Sequence, residues 1–377
     1  MSASDGLRVA IDARPLTTSR AGVATYCRGL AYGLRRCTGD ERIVLYAKEA
    51  APPGLDLDPL RWRAFPAPLW LPLAVPRALR AGRVDVFHGT NHMAPPLSPV
   101  PTVITVHDLS ALTMSHYHTW RNRLLTVPQM LASLRAATRL IAVSRATTRD
   151  LERLPGIDAA RIRVVHEAAA PGLAPATQAA IDELVARLSL PERFVLYLGA
   201  LEPRKNVLGL VRAIGQLRAG GEELTLVIAG AEGWRNDDVG AEVRRLGLAE
   251  VVRFAGYVPP DDLPALYGAA TAFVYPSFFE GFGLPPLEAM ACGVPVVCSN
   301  TSSLPEVVGD AALTVDPRSI DGLAGAIRRV LKDAELRERL RAAGLDRARH
   351  FSWERAARET CAVYHEAARE SRRGAGR

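Results

Sequence analysis

The segment FEGFGLPPLEAMACGVPVV, residues 279–297, sets two carboxylates, Glu280 and Glu288, around a turn of Gly281, Phe282 and Gly283. Leu284 and two prolines follow, then an apolar run. Proline at a first helical turn forfeits an N–H that has no intrahelical partner anyway, so a helix is predicted from about Pro285 through Cys292. The glycines let successive backbone N–H groups converge at that helix's positive end, a nest for phosphate or sugar hydroxyls. Glu288 falls one turn inside, too deep for a cap, where a carboxylate can accept two hydrogen bonds from a vicinal diol such as a ribose. Glu280, before the turn, can do the same for a sugar ring. One such glutamate is ordinarily a solvated helix face. The whole constellation after a strand points to a ligand.

A second cluster is Gly199-Ala-Leu-Glu-Pro-Arg-Lys-Asn206, between an apolar run and a helical pattern. Arg204 and Lys205 at a strand–loop–helix junction suit a diphosphate, pairing a fork-shaped donor with a point charge. Neither a Walker A motif nor a GxGxxG fingerprint is present. Gly256-Tyr257-Val258 ends another strand and could border a flat base. In the first half, Thr105-Val-His-Asp-Leu109 places His107 at a strand end, and Arg20-Ala-Gly-Val23, with Gly22, opens a helix. His88 with His92, and His116 with His118, lack a nearby third ligand, so no metal site is expected.

These groups need elements to position them. Short β-rich runs alternate with helical patterns, the form of a parallel sheet covered by helices. Strands are predicted at 7–12, 42–47, 84–88, 102–107, 140–143 and 162–166, and again at 194–198, 224–229, 251–254, 272–275, 294–298 and 312–315. A helix runs from Gly22 to about Arg36, and Ser144 fits as the N-cap of another. Residues 168–176, small and Pro/Gly-punctuated, read as a linker. The last 60 residues read as helices at 319–332, 334–349 and 352–370. The prediction is two doubly wound α/β domains, 1–170 and 171–351, with ligands beyond the carboxyl ends of the strands.

At 377 residues the chain exceeds the size of one core. No apolar run is long enough to span a membrane and the start has no signal-peptide pattern, so neither is expected. Five cysteines without zinc-type spacing suggest reduced thiols and a cytoplasmic protein. Residues 1–170 hold 22 Lys+Arg against 13 Asp+Glu, whereas the rest hold 25 against 27. That asymmetry suits an anionic partner for the first half, or simply an arginine-rich solvated surface. Nucleic acid is not expected, because no nucleic-acid-binding motif accompanies the charge. Residues 61–83 interleave aromatics with arginines, as a membrane-docking loop or a packed insertion would.

Taken together, these segments resemble glycosyltransferase family 4, the retaining enzymes of the GT-B fold. Glu280 through Glu288 matches the family's Glu-x7-Glu element. The glycine loop near Gly22, VHD at 106–108, YLGALEPRKN at 197–206, FAGYVP at 254–259 and SSLPEVVGDAAL at 302–313 extend the match over nearly the whole chain. The flavour is closest to bacterial mannosyl- and rhamnosyltransferases.

The resemblance implies two Rossmann-like domains facing a cleft, with the last helix, 352–377, crossing back to the N-terminal acceptor-binding domain. It implies that Glu288 holds the ribose, Arg204 and Lys205 the diphosphate, and Glu280 with the backbone of Gly281, Phe282, Gly283 and Leu284 the donor sugar. Tyr257 and Val258 should border the base, Gly22 approach the phosphates, and His107 sit beside the hexose. The catalytic set is then His107, Glu280, Arg204 and Lys205. One departure stands out: Ala200 occupies the place where many members have arginine, so Arg204 must supply that charge or the diphosphate is held less tightly. The expected reaction is retaining transfer of a hexose, with mannose from GDP-mannose preferred, to a hydroxyl of a glycan or lipid-linked acceptor in surface-polysaccharide synthesis. No metal or organic cofactor is required, and the basic first half is expected to visit the inner membrane face. An epimerase or phosphorylase of similar fold, or a non-catalytic sugar-nucleotide binder, are the alternatives. If the two carboxylates divide their work this way, Glu280→Ala should spare free nucleotide binding while damaging transfer.

Overall fold

A computed structural model of the chain describes residues 6–18, 22–37, 39, 41–47, 58–61, 70–113, 126–230 and 236–375. The twelve predicted strands form, half of them starting a residue or two later than their apolar runs do. The chain divides into two units, Met1–Pro171 with Ser352–Arg377, and Gly172–Phe351.

In the first unit seven parallel strands lie in the order β3-β2-β1-β4-β5-β6-β7. They are β1 (Arg8–Asp12), β2 (Arg42–Ala47), β3 (Asp58–Arg61), β4 (Val86–Gly89), β5 (Thr102–Val106), β6 (Arg139–Ala142) and β7 (Ile162–Val164). β4 and β5 are buried throughout, as parallel strands under helices on both faces must be. β3 has no sequence signature: an Asp and a Pro in four residues read as loop, and such a strand is tolerated only at an edge. Ser144 does cap the helix Arg145–Glu152, accepting from the Thr147 amide at 3.0 Å.

The helix Trp353–Ala375 belongs to this unit. The Trp353 indole donates to the Ala169 carbonyl at 2.8 Å and lies over Gly29 in the helix Gly22–Cys37. A Cβ at Gly29 would occupy the indole's own position, and one at Gly33 the Trp353 carbonyl's. Glycine there is a packing requirement. Trp70, Ala74, Val75 and Leu79 are fully buried, so residues 70–79 are a packed insertion. Residues 51–57, 62–69 and 114–125, with His116 and His118, lie outside the described residues, as does Arg20.

In the second unit six parallel strands lie in the order β10-β9-β8-β11-β12-β13. They are β8 (Phe194–Leu198), β9 (Thr225–Ala229), β10 (Val252–Gly256), β11 (Ala272–Tyr275), β12 (Val296–Ser299) and β13 (Leu313–Val315). The order reverses between β8 and β11, which pair with Val195 opposite Ala272. Crossovers on either side of that point leave toward opposite faces, and the loops after β8 and β11 open a crevice between them.

Candidate functional site

The two loops at the β8–β11 switch point carry the candidate donor residues. After β8 a tight turn, Pro203–Lys205, ends at Asn206 with φ 56°, and the helix Val207–Ala219 begins. Asparagine is among the few residues enriched in this left-handed conformation, and the Asn206 side chain donates to the distant Pro317 carbonyl at 2.7 Å. The turn is laced to the loop after β11. The Arg204 carbonyl accepts from the Phe278 amide at 2.8 Å and from the Ser277 hydroxyl at 3.1 Å.

That lacing brings three charges together. Lys205 Nζ donates to Glu280 Oε1 at 2.6 Å and to the Tyr275 hydroxyl at 2.6 Å. Arg204 reaches Glu280 Oε2 at 3.3 Å, Glu202 at 2.8 Å and the Phe279 carbonyl at 3.2 Å. Lys205 and Glu280 are both buried. Burial alone would raise the Glu280 carboxyl, but the charges of Lys205 and Arg204 outweigh it and hold it below the usual range. Burial lowers Lys205, and Glu280 does not fully restore it. Sequence reasoning assigned the cations to a diphosphate and Glu280 to a sugar, as separate groups. The structure joins them in one ion cluster, which Ala200, lacking a charge, leaves to Arg204.

Glu280 is held by residues assigned no site role from the sequence, although Ser302 and Ser303 open the matched segment 302–313. Its amide donates to the Ser302 hydroxyl at 2.9 Å, and Ser303 donates to the carbonyls of Glu280 and Phe282 at 3.0 and 2.6 Å. Thr301 donates to the Phe278 carbonyl at 3.1 Å. All three belong to the loop after β12, where a run of small hydroxyls at a strand's carboxyl end was the available signal. Gly283, at φ 111°, precedes the helix Leu284–Ala291, while Gly281 keeps an ordinary φ. A Cβ at Gly283 would meet Leu304 Cδ2 at 2.6 Å. Glu288 is buried one turn into that helix, beside the Tyr267 hydroxyl at 3.4 Å. Phe282 and Leu284 are buried, with Phe282 edge-on to Phe351, so only their backbone can face a ligand. Val258 likewise sits in the core, whereas its neighbour Tyr257 is 54% exposed.

In the first unit Gly22 is exposed at the start of its helix. His107 follows β5 and is engaged on both sides: Nδ1 lies 2.9 Å from Glu167 Oε1 and Nε2 lies 2.9 Å from the Thr90 carbonyl. Both partners are acceptors, so both ring nitrogens carry protons. Burial pulls its pKa down, but the Glu167 hydrogen bond and charge more than reverse this, and the pKa is raised. The raised pKa favours the protonated form of His107, and both ring nitrogens are occupied by partners. The neighbouring histidines stay neutral: burial and the His107 charge push His88 down to about 3 and His92 to about 4. Tyr26 packs edge-on to His107 with ring centres 4.8 Å apart, and its hydroxyl meets Thr105 at 2.8 Å. His88 bridges Thr105 to Tyr364 of the last helix through contacts of 2.8 and 2.7 Å. None of Tyr26, His88, Tyr364 or Glu167 was marked as functional from the sequence, because the pairs that unite them are 17 to 276 residues apart.

Two doubly wound parallel units, one gathering cations and carboxylates at its switch point, are the Rossmann-like architecture of GT-B glycosyltransferases. Solved structures agree. A sucrose-phosphate synthase from Thermosynechococcus elongatus superposes with a TM-score of 0.74 at 22% identity, over 96% of this chain and 98% of that one. Anabaena HepE, crystallised with UDP and glucose, gives 0.77 at 19%, over 96% and 100%. The chain belongs to glycosyltransferase family 4: residues 20–169 match the model of Glycosyltransferase Family 4, and residues 182–347 that of Glycosyl transferases group 1. It is 40% identical over 290 residues to the O-antigen chain mannosyltransferase B of Escherichia coli, covering 76% of both chains. It is also 32% identical over 276 residues to the serotype-specific mannosyltransferase WbdA of Escherichia coli, covering 71% of this chain and 34% of that longer one.

Proposed function

We propose that this glycosyltransferase moves a mannosyl group from GDP-mannose to a hydroxyl of a glycan or lipid-linked acceptor in polysaccharide synthesis, with retention and without a metal. The observation that carries the donor site is the cluster of Arg204, Lys205 and Glu280 at the β8–β11 switch point. The mannosyl assignment rests on similarity to the O-antigen mannosyltransferase.

As the anomeric bond breaks, positive charge grows on the sugar ring and negative charge on the leaving diphosphate. Arg204 and Lys205 stabilise that leaving charge, and being already ordered they need no reorganisation as it develops. Glu288 accepts from the ribose diol. Glu280 has two functions in this reading: it holds both cations in place and presents its remaining lone pairs to the sugar. The sequence-based division of labour is thereby revised, because Glu280→Ala would disturb the diphosphate cations as well. Retention follows from front-face attack, in which the acceptor hydroxyl gives its proton to the departing phosphate. In the first unit His107 acts through its charge, since neither ring nitrogen is free to take a proton.

The test is calorimetric binding of GDP, UDP, ADP and dTDP, with Glu288→Ala as control, followed by transfer assays with and without EDTA. Binding of GDP alone, weakened about 10- to 100-fold in the variant for the loss of one or two charged hydrogen bonds, supports the assignment. Selective binding of another nucleotide refutes the donor, and EDTA-sensitive transfer refutes metal independence. A trapped covalent glycosyl adduct refutes front-face attack.

A further inference from the structure

The amino edge of the first sheet, opposite the edge that carries His107, holds a groove of about 610 Å³. Arg8 opens β1, Arg42 opens β2, and Arg83 lies just before β4. The last helix completes the wall with His365, Arg369 and Arg372. β1 is five residues long, so the groove lies roughly 13 Å along the strand from the carboxyl edge.

Leaving Arg42 aside, four guanidiniums, those of Arg8, Arg83, Arg369 and Arg372, face two carboxylates here, and both carboxylates are committed. Asp85 accepts from the Arg8 amide at 2.8 Å. Glu41 accepts from the Gly39 amide and meets His365 Nε2, each at 2.9 Å. The acids of the last helix do not relieve the excess. Glu366 and Glu370 pair with Arg139 and Arg163, and Glu359 with Arg355. Among the described residues no side-chain hydrogen bond or ion pair engages Arg83, Arg369 or Arg372.

One further observation points to an acceptor. Arg8 Nε is buried with no hydrogen-bond partner among the described residues, a donor that an anion or a water would satisfy. Arg83, at φ 47°, is the left-handed residue that closes the helix Val75–Ala81, the Val84 amide reaching the Leu79 carbonyl at 3.2 Å across it.

We propose that this groove binds a phosphate-bearing anion, at a site separate from the donor-binding cluster and independent of the donor's identity. Arginine forks match phosphate oxygens in pairs. The volume lies in the range of small-molecule sites rather than of a flat docking face. The phosphate can come from an anionic lipid headgroup or from a soluble di- or polyphosphate.

The test uses the full chain, its donor cluster kept filled by an excess of the nucleotide it binds, and two probes: inorganic pyrophosphate by calorimetry, and phosphatidylglycerol-containing vesicles by co-sedimentation, with phosphatidylcholine vesicles as control. At least one probe should bind, more weakly as salt rises. Arg369→Ala with Arg372→Ala should weaken that binding about tenfold or more, the loss of one or two charge-assisted bonds. Arg83→Gly should weaken it too, and since glycine suits φ 47° this variant keeps the test open should the double variant fail to fold. Arg149→Ala with Arg153→Ala removes equal charge elsewhere on the unit and should change nothing. Vesicle binding lost in the groove variants identifies a lipid headgroup. Pyrophosphate binding alone, lost in the same variants, identifies a soluble phosphate. The proposal is overturned if neither probe binds, if the groove variants bind undiminished, or if the control pair weakens binding equally.

Discussion

Replacing Glu280 by glutamine tests the ion cluster without changing its shape. The amide leaves a buried ammonium, Lys205, with only neutral acceptors: an amide oxygen and the Tyr275 hydroxyl. Breaking a buried pair by neutralising one partner costs ~3–5 kcal/mol. The lysine can escape part of this by losing its proton, which sets a ceiling. From an ordinary pKa of ~10.4, neutralisation at pH 7 costs about 3.4 units, or roughly 4.6 kcal/mol. The expected loss is thus about 3 to 4.5 kcal/mol, or roughly 6–18 °C in the melting of a unit this size. The sign of its pH dependence follows from Lys205. Glu280→Gln lowers the folded-state pKa further below the unfolded value, so the unfolded chain binds more protons and stability rises with pH. The deficit against the wild type should narrow by up to ~2.7 kcal/mol between pH 7 and pH 9, at ~1.36 kcal/mol per unit. Urea denaturation at both pH values measures this. A deficit below about 1 kcal/mol at pH 7, or one that does not narrow, would show that the pair is not the stabilising contact described.

Three other outcomes are expected. Glu167→Gln removes the charge that raises His107, so the His107 imidazole resonances should titrate at lower pH by NMR. Because the raised pKa stabilises the fold below the ordinary histidine value and is lost as pH rises through the folded one, the variant's deficit should be largest in acid and vanish in alkali. Gly283→Ala sets a Cβ 2.6 Å from Leu304 at φ 111°, which should cost about 1–3 kcal/mol by chemical denaturation. Gly29→Ala drives a methyl into the Trp353 indole and should displace the last helix, read as raised Trp fluorescence exposure and faster proteolysis after residue 351. Unchanged quenching of the Trp353 signal would contradict that packing.

Much of the fold was legible because it is local. Buried parallel strands are short β-branched runs, so β2, β8 and β11 were placed to the residue. Helix caps such as Ser144 announce themselves by type and position. β3 escaped because its Asp-Pro start is a loop pattern, made a strand only by the edge it pairs with. The donor loops were marked by glycines, prolines and charges, yet their serine braces and the Tyr267 beside Glu288 were not, since a hydroxyl has no periodic signature.

The sequence by itself determined the alternation of strand and helix, the glycine turn between Glu280 and Glu288, and the charge types of Arg204 and Lys205. It did not determine what those charges face. That was decided when the strand order placed β8 beside β11, bringing residues 75 apart into one buried cluster. The same holds for His107, whose place at a strand end is legible in the sequence but whose raised pKa comes from Glu167, 60 residues away. Periodicity records the burial of an element along its own length. The protonation and pairing of a side chain depend on which distant neighbours share its dielectric, and only the folded chain supplies them.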